Sequence, residues 1–272
     1  HWKSLELIKT TKKQYCLIHG KEINHPRGSF QNKKLVKILN NVEKVISNSE
    51  YTKNLAINIG INQEKITVIN PGVNPAKKLN KKSLDKVESL LRIKTPRLIT
   101  VSRFDKRKNH EKVIMALRNL KQIYPNIVYI CIGYGDEENN IKKLVKELGL
   151  ETQVMFFKDI SDDLKNALLA KSHLFVMPTI VFKTSVEGFG IAYTEAAQYG
   201  LPSIGGKNGG ASDAIIDKET GILCDGNNLE EIYSSIDEVL KNELYKELGI
   251  NAKKHAKNFE WENIIQKYLK LL

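Results

Sequence analysis

The sequence is poor in cysteine and has no long apolar run. Cys16, Cys131 and Cys224 are far apart and mostly flanked by apolar residues, which predicts buried reduced thiols rather than disulfides or a zinc site. No stretch of about 18 apolar residues is present, and the first residues lack the apolar core of a signal peptide. We therefore expect a cytoplasmic chain without a metal site that does not span a membrane.

Acidic residues are outnumbered by basic ones. The chain has 43 lysines and arginines against 31 acidic residues, a net charge of +12. This charge suits anionic nucleotides, anionic lipid surfaces or nucleic acid without distinguishing among them. Because the lysines are spread along the chain, a solvated basic surface is the simpler interpretation. No interleaving of aromatic and basic residues typical of RNA binding occurs, and no helix-turn-helix signature, so we expect no nucleic-acid partner.

The hydrophobic pattern alternates between short strands and helices in two blocks. Residues 1–73 predict an incomplete α/β domain, and the proline- and lysine-containing residues 74–96 predict a linker. The alternation restarts over residues 97–257, which indicates a parallel sheet covered by helices on both faces. Residues 258–272 hold an amphipathic helix that we expect to pack on the protein, with a membrane-surface helix as the alternative. The predicted fold class is α/β, with doubly wound domains.

Residues 185–215 contain the densest functional pattern. Glu187 and Glu195 lie eight residues apart around a Gly-Phe-Gly turn, and helix-compatible residues follow as far as Gly200. The free N–H groups and the dipole of a helix that begins at such a turn suit a phosphate. In one continuous helix the two carboxylates would be about 12 Å apart on one face, which matches a sugar nucleotide. Solvated helix charges are the alternative.

Two further positions follow predicted strands, where ligands of doubly wound sheets gather. Arg103 and Lys108 flank a turn, and together they could neutralise a diphosphate. Lys106 and Arg107, between them, are expected to be solvated. His19 also follows a strand. The alternatives are solvated loop charges for the basic pair and a turn cap for His19.

These residues together resemble a known family. The run E-G-F-G-I-x-Y-x-E-A, followed by G-x-P-x-I and G-G-A, resembles the E-x7-E signature of retaining glycosyltransferase family 4. Other motifs follow in the family's order along nearly the whole chain, namely H-G-x-E, S-N-S-E-Y, P-G-V, R-x4-K, G-Y-G and M-P. The resemblance implies the GT-B fold, two Rossmann-like domains that face a cleft. It also implies that roughly half of the first domain is absent, and that the final helix crosses back to that domain.

The resemblance implies roles for individual residues. Glu187 would contact the donor sugar, Glu195 the ribose, and His19 the sugar from across the cleft. Arg103 and Lys108 would carry the charge of the leaving diphosphate, without an obligatory metal and without a cofactor. The implied donor-binding residues are Gly133, Gly135, Phe157, Lys158, Gly188, Phe189, Gly190, Ile191, Glu195, Gly209 and Gly210. For the G-Y-G loop, a tight strand-to-helix turn is an equal alternative.

The expected function is that of a retaining hexosyltransferase. The motifs are most similar to GDP-mannose-dependent mannosyltransferases that act on phosphatidylinositol mannosides, although relatives with UDP-sugars share most of them. We expect transfer of a hexose, with mannose as one candidate, from a GDP-sugar or UDP-sugar to an envelope glycan or a lipid-linked acceptor. Peripheral contact with the anionic inner face of the membrane is a further expectation. The alternatives are another GT-B enzyme, such as a sugar-nucleotide epimerase or a phosphorylase, and a basic nucleic-acid-binding domain.

Overall fold

A computed structural model describes residues 2–7 and 12–271, so that the predicted domain ends at residues 1 and 272 lie outside the described residues. In the first domain the strands and helices are β1 (Tyr15–Ile18), α1 (Phe30–Asn41), β2 (Lys44–Ser47), α2 (Glu50–Asn58) and β3 (Ile66–Val68). Short 3-10 helices cover Trp2–Leu7 and Gln63–Lys65. Within the described residues these strands form a three-stranded parallel sheet in the order β1-β2-β3.

The second domain alternates strands with helices. Its elements are α3 (Lys81–Leu90), β4 (Arg97–Val101), α4 (His110–Ile123), β5 (Val128–Ile132), α5 (Glu138–Glu147), β6 (Val154–Phe157), α6 (Asp162–Ala170), β7 (Leu174–Met177), α7 (Ile191–Gln198), β8 (Ser203–Gly206), α8 (Ala211–Ala214), β9 (Gly221–Cys224), α9 (Leu229–Lys241), α10 (Tyr245–Ala256) and α11 (Trp261–Leu269). Short 3-10 helices cover Lys106–Lys108 and Lys257–Phe259. Among the described residues the sheet has six parallel strands in the order β6-β5-β4-β7-β8-β9.

Both faces of the six-stranded sheet are buried. Leu98 and Ile99, neighbours on β4, point into two different apolar clusters, because successive side chains of a strand lie on opposite faces. Helices α4 and α9 contribute to one cluster, and α3, α6 and α7 to the other. This arrangement explains the nearly continuous apolar strands and confirms the predicted α/β class with parallel sheets.

The predicted linker, residues 74–96, contains a regular helix, α3, which the sequence analysis did not predict. Asn80 caps α3 by accepting a hydrogen bond from the backbone N–H of Ser83 at 3.3 Å. Val87 is fully buried in the same apolar cluster as α6. Lys81, Lys82 and Lys86 lie on the exposed face of this amphipathic helix, so that composition alone hid the helix.

The last helix packs on the first domain. Ile264 of α11 is fully buried and lies in one apolar cluster with Ile46 and Ile69, which belong to the first domain. Just before this helix, Val73 donates a backbone hydrogen bond to Phe259 at 2.8 Å. Ile264 is therefore covered by protein, whereas Trp261, Ile265 and Leu269 of the same helix are 47%, 45% and 57% exposed.

The three cysteines are buried and unpaired. Their burial in apolar surroundings agrees with the predicted reduced thiols.

Candidate active site in the cleft

The site lies at the point where the strand order of the larger sheet reverses. Strands β4 and β7 are neighbours, while the chain proceeds outward from them in opposite directions, through β5 and β6 on one side and β8 and β9 on the other. A crevice forms outside the carboxyl ends of two such strands, and this is where open α/β sheets bind ligands. The loop after β4 carries the basic turn, and the loop after β7 leads to Glu187.

The basic turn after β4 is held by its own capping residues. The Asp105 carboxylate accepts a hydrogen bond from the backbone N–H of Lys108 at 3.2 Å. Asn109 has a left-handed backbone with φ of 64°, and its side-chain amide donates to the carbonyls of Pro178 at 2.9 Å and Gly226 at 2.8 Å. These contacts tie the turn that carries Lys108 to the loops after β7 and β9.

Arg107, Lys108 and Glu187 form a buried ionic triad. The Oε2 atom of Glu187 is 2.5 Å from Arg107 Nη1 and 2.5 Å from Lys108 Nζ. Each of the three side chains is only 11% exposed. The expectation that Arg107 is solvated is therefore wrong. Arg107 is shielded because it lies beneath a loop that is remote in sequence, with the N–H of Ile180 bonded to its carbonyl at 3.0 Å.

The triad keeps Glu187 ionised. Burial by itself raises the pKa of Glu187, but the charges and hydrogen bonds of Lys108 and Arg107 outweigh it and hold that pKa below its usual value. For Lys108, burial lowers the pKa, and this effect exceeds the opposing effect of Glu187.

Glycines allow the chain to pass closely behind Glu187. Gly190 precedes α7 with a φ of 90°, a backbone conformation that favours glycine. The N–H of Gly210 donates to the Glu187 carbonyl at 2.8 Å. A Cβ added to Gly188 would lie 2.2 Å from the His19 carbonyl oxygen, so this glycine lets the two domains approach. The glycine turn and the helix start at Ile191 agree with the sequence prediction.

The first domain completes the cleft. A cavity of about 410 Å³ is lined by His19, Asn48 and Pro71 on one side and by Lys108 and residues 187–192 on the other. Asn48 is 8% exposed, and its Oδ1 is buried without a hydrogen-bond partner in the part of the chain that the structure describes. His19 and Lys108, which follow strands of different sheets, thus face one cavity.

Glu195 lies in a second, adjoining cavity. That cavity, of about 160 Å³, is also lined by Asn74, Asp162, Lys165 and Tyr199, and it shares Ala192 with the cleft cavity. Burial raises the pKa of Glu195. Glu187 precedes α7, which begins at Ile191 as predicted, so the two carboxylates do not lie on one continuous helix.

Arg103 lies outside the cleft cavity. Its side chain is 77% exposed, and its Nη2 is 3.5 Å from Asp105 Oδ2. It lines a different cavity of about 340 Å³ together with Tyr134 and Gly135. The structure therefore does not bring Arg103 together with Lys108.

The G-Y-G loop packs on the basic turn. A Cβ on Gly133, whose φ is 141°, would lie 2.0 Å from the Ser102 carbonyl oxygen, and one on Gly135 would lie 2.5 Å from that of Phe104. Gly133 also donates to the Phe157 carbonyl at 2.9 Å, and Lys158 lies over the ring of Tyr134 at 5.1 Å. These contacts favour the tight strand-to-helix turn for this loop.

Comparison with known proteins decides the family. The family model described as glycosyl transferases group 1 matches residues 81–255, more than half of the chain, and the model described as glycosyltransferase family 4 matches residues 6–77. The chain belongs to the glycosyl transferases group 1 family. This assignment confirms the resemblance on which the sequence interpretation was based.

Two relatives of this family member are named for different sugars. The chain is 30% identical over 147 residues to a GDP-mannose-dependent alpha-(1-6)-phosphatidylinositol monomannoside mannosyltransferase from Mycolicibacterium smegmatis, a match that covers 53% of this chain and 38% of the relative. It is 30% identical over 173 residues to N-acetyl-alpha-D-glucosaminyl L-malate synthase from Bacillus anthracis, covering 63% of this chain and 43% of the relative. The chain thus spans less than half the length of these curated relatives.

Solved structures establish the GT-B fold of this family member. A crystal structure of Anabaena Alr3699/HepE in complex with UDP and glucose superimposes with a TM-score of 0.79 at 24% identity, covering 93% of this chain and 70% of that chain. At this level of identity the likeness concerns the fold, which has two α/β domains with parallel sheets.

Two residues at this candidate site were not selected by sequence reasoning. Asn48 immediately follows β2, so the rule that selected His19 at a carboxyl strand end could also have found it. Arg107 gave no such signal, because its burial depends on a loop distant in sequence.

In residues 2–7 and 12–271 no group of three or more His, Cys, Asp or Glu side chains could hold a metal ion. No helix in those same ranges is long and apolar enough to cross a membrane.

Proposed function

We propose that the chain carries the donor site of a retaining hexosyltransferase, which moves a hexose from a nucleoside diphosphate sugar to a glycan or lipid-linked acceptor. One observation carries the proposal. Lys108, Glu187 and the N-terminus of α7 face His19 across a single cavity at the switch point of the sheet. Cationic, anionic and N–H groups gathered in one cleft suit a ligand that joins a diphosphate to a sugar.

The diphosphate binds between Lys108 and the start of α7. The first backbone N–H groups of this helix lack helical partners and carry the positive end of its dipole. Lys108 adds a point charge, and the exposed Arg103 is free to swing toward the phosphates. These groups neutralise the leaving diphosphate in place of a metal ion.

The sugar and the nucleoside occupy the two adjoining cavities. Glu187 accepts hydrogen bonds from sugar hydroxyls, and His19 contacts the sugar from the first domain. Glu195 accepts hydrogen bonds from the ribose in the neighbouring cavity. The loop at Phe157 and Lys158 lies on the side of the nucleobase. Gly209 and Gly210 lie behind Glu187, beside the donor.

The transfer proceeds on one face of the sugar. The bond between the anomeric carbon and the diphosphate oxygen breaks, and the acceptor oxygen bonds to the same face of that carbon. The acceptor's proton passes to the departing diphosphate, so no covalent enzyme intermediate is formed. The charge that develops on the diphosphate is stabilised by Lys108, Arg103 and the α7 N–H groups.

Names of similar proteins support two donor classes. One relative is named as GDP-mannose-dependent, and one similar structure is described in complex with UDP and glucose. We therefore include both GDP-sugars and UDP-sugars, with mannose as one candidate hexose. A relative named for a phosphatidylinositol mannoside supports a lipid-linked or envelope acceptor, and with it a peripheral position on the cytoplasmic face of the membrane. Nucleic acid is not part of this proposal.

Calorimetric titration with UDP, GDP and ADP tests the proposal. We expect one diphosphate to bind preferentially, and Lys108→Ala to weaken that binding at least about tenfold through loss of a charged contact. Lys106→Ala is the matched control, because Lys106 lies in the same turn but is exposed and stacks on Phe182. The donor site would be refuted if the chain bound none of the three diphosphates. It would also be refuted if Lys108→Ala and Lys106→Ala bound the diphosphate with equal affinity.

A further inference from the structure

Arg107 and Lys108 are not equivalent partners of Glu187. Both reach the same carboxylate oxygen at 2.5 Å. Lys108 and Glu187 line the cleft cavity, whereas Arg107 does not. The backbone of Arg107 is fastened to the loop after β7 by the hydrogen bond from Ile180. Arg107 therefore stays with Glu187 on the protein side of the site, while Lys108 has access to a ligand.

The triad holds one carboxylate and two cations, and Asp105 supplies a second carboxylate whose Oδ2 is 3.9 Å from Arg107 Nη2. Asp105 does not line the cleft cavity, whereas Lys108 does, together with the N-terminus of α7, whose dipole favours an anion. When a diphosphate arrives, Lys108 is the cation placed to leave Glu187 and pair with it.

We infer that Arg107 is a positioning residue that keeps Glu187 ionised and in place while Lys108 moves to the donor diphosphate. The inference rests on the proposed function and deepens it. Without Arg107, Glu187 would lose its last cationic partner at the moment when an anion binds beside it. A buried carboxylate without a cation beside an anion takes up a proton, and a protonated Glu187 is a weaker acceptor for sugar hydroxyls.

The other titratable groups around Glu187 come from several elements. Asp105 lies 3.9 Å from Arg107 Nη2, and His19 lines the cleft from the first domain. Tyr193 of α7 is fully buried, and burial together with the charge of Glu187 raises its pKa. Among the groups named here, Arg107 and Lys108 are the cations in direct contact with the Glu187 carboxylate.

Proton uptake on binding UDP or GDP, whichever binds more tightly, measures this role directly. Calorimetric titrations between about pH 5 and 7, in buffers with different ionisation enthalpies, give the number of protons taken up per ligand bound. We expect Arg107→Gln to take up more protons per ligand bound than the wild-type chain does, with a difference of at most about one proton. Arg107→Lys keeps the charge and should restore the wild-type value in large part. Lys106→Gln, in the same turn, is the control and should match the wild type.

A double variant identifies the group that takes the proton. Arg107→Gln combined with Glu187→Gln should lose the extra uptake, because no carboxylate is left to protonate. Equal uptake by wild type and Arg107→Gln would overturn the inference, as would extra uptake that persists in the double variant. If the wild-type chain binds neither diphosphate, the proposed function fails and this inference fails with it. Loss of affinity in Lys108→Ala without extra uptake in Arg107→Gln would refute the inference alone.

Discussion

The Asp213 carboxylate accepts a hydrogen bond from the backbone N–H of Glu50 at 3.0 Å, and this bond links α8 of the second domain to the first residue of α2 in the first domain. The side-chain amide of Asn70 donates to the same carboxylate at 3.1 Å. A carboxylate at a helix N-terminus is also favoured by the helix dipole. Asp213 therefore fastens the two domains beside the cleft, and its contribution can be measured.

Replacement of Asp213 by alanine should destabilise the chain. Two donors lose their acceptor, and we expect the free energy of unfolding to fall by about 1 to 3 kcal/mol. Urea unfolding measures the change. Asp85→Ala, at an exposed position of α3, is the control and should change stability by less than about 0.5 kcal/mol. If the free energy of unfolding falls equally in Asp213→Ala and Asp85→Ala, the contact of Asp213 with the first domain does not stabilise the chain.

Glu195 and Lys108 should affect different parts of a nucleotide. Glu195→Ala should weaken both uridine and UDP, or the corresponding guanosine ligands, by about 1 to 3 kcal/mol, because the ribose loses an acceptor. Lys108→Ala should weaken the diphosphate and leave the nucleoside unchanged. Titration of both ligands into both variants separates the roles. Unchanged affinity in Glu195→Ala would refute the ribose contact.

Arg103 should matter for binding and not for stability. Its side chain is 77% exposed, so Arg103→Ala should change the free energy of unfolding by less than about 0.5 kcal/mol. If the side chain swings toward the phosphates, diphosphate affinity should fall about tenfold while nucleoside affinity is kept. Arg118→Ala, at an exposed position of α4, is the control. If Arg103→Ala binds the diphosphate as tightly as the wild-type chain does, Arg103 does not contact the phosphates, and Lys108 is the cationic side chain that binds them.

Glu187 should make stability depend on pH. Its pKa is held below the usual value of 4.5, so its ionised form stabilises the fold fully above about pH 4.5, and this contribution is lost as the pH falls through the lower folded pKa. Glu187→Gln should therefore cost about 3 kcal/mol at pH 7 and clearly less at pH 3. Glu151→Gln, at an exposed loop position, should show no such difference. A cost independent of pH would show that the ionic triad is not the cause.

Chelation should leave turnover of the donor intact. Because protein cations and helix N–H groups neutralise the diphosphate in our proposal, we expect EDTA to change the rate of donor consumption by less than about twofold. Addition of Mg²⁺ after EDTA is the control. An abrupt loss of turnover with EDTA, restored by Mg²⁺, would contradict the metal-independent proposal.

Local sequence accounts for much of the fold and for part of the site. The period of the apolar residues predicted the alternation of strands and helices, because burial on both faces of a parallel sheet requires apolar strands. The Gly-Phe-Gly turn predicted the start of α7, since Gly190 adopts a conformation that other residues rarely adopt. The positions of His19 and Lys108 followed from one rule, that ligands gather at carboxyl strand ends. Each of these features depends on residues that are close in sequence.

The tertiary structure decided which charged side chains meet. Arg107 and Glu187 are 80 residues apart, and Asp213 and Glu50 are 163 apart, so no local pattern reports that they are paired. Sequence reasoning placed Arg107 in solvent, whereas its side chain is only 11% exposed and its backbone is bonded to the loop after β7. The sequence by itself determined the elements and the edge of the sheet where the site lies, because these depend on local periodicity. Only the folded chain determined the ionic contacts, because burial and charge pairing depend on residues that meet from distant parts of the sequence.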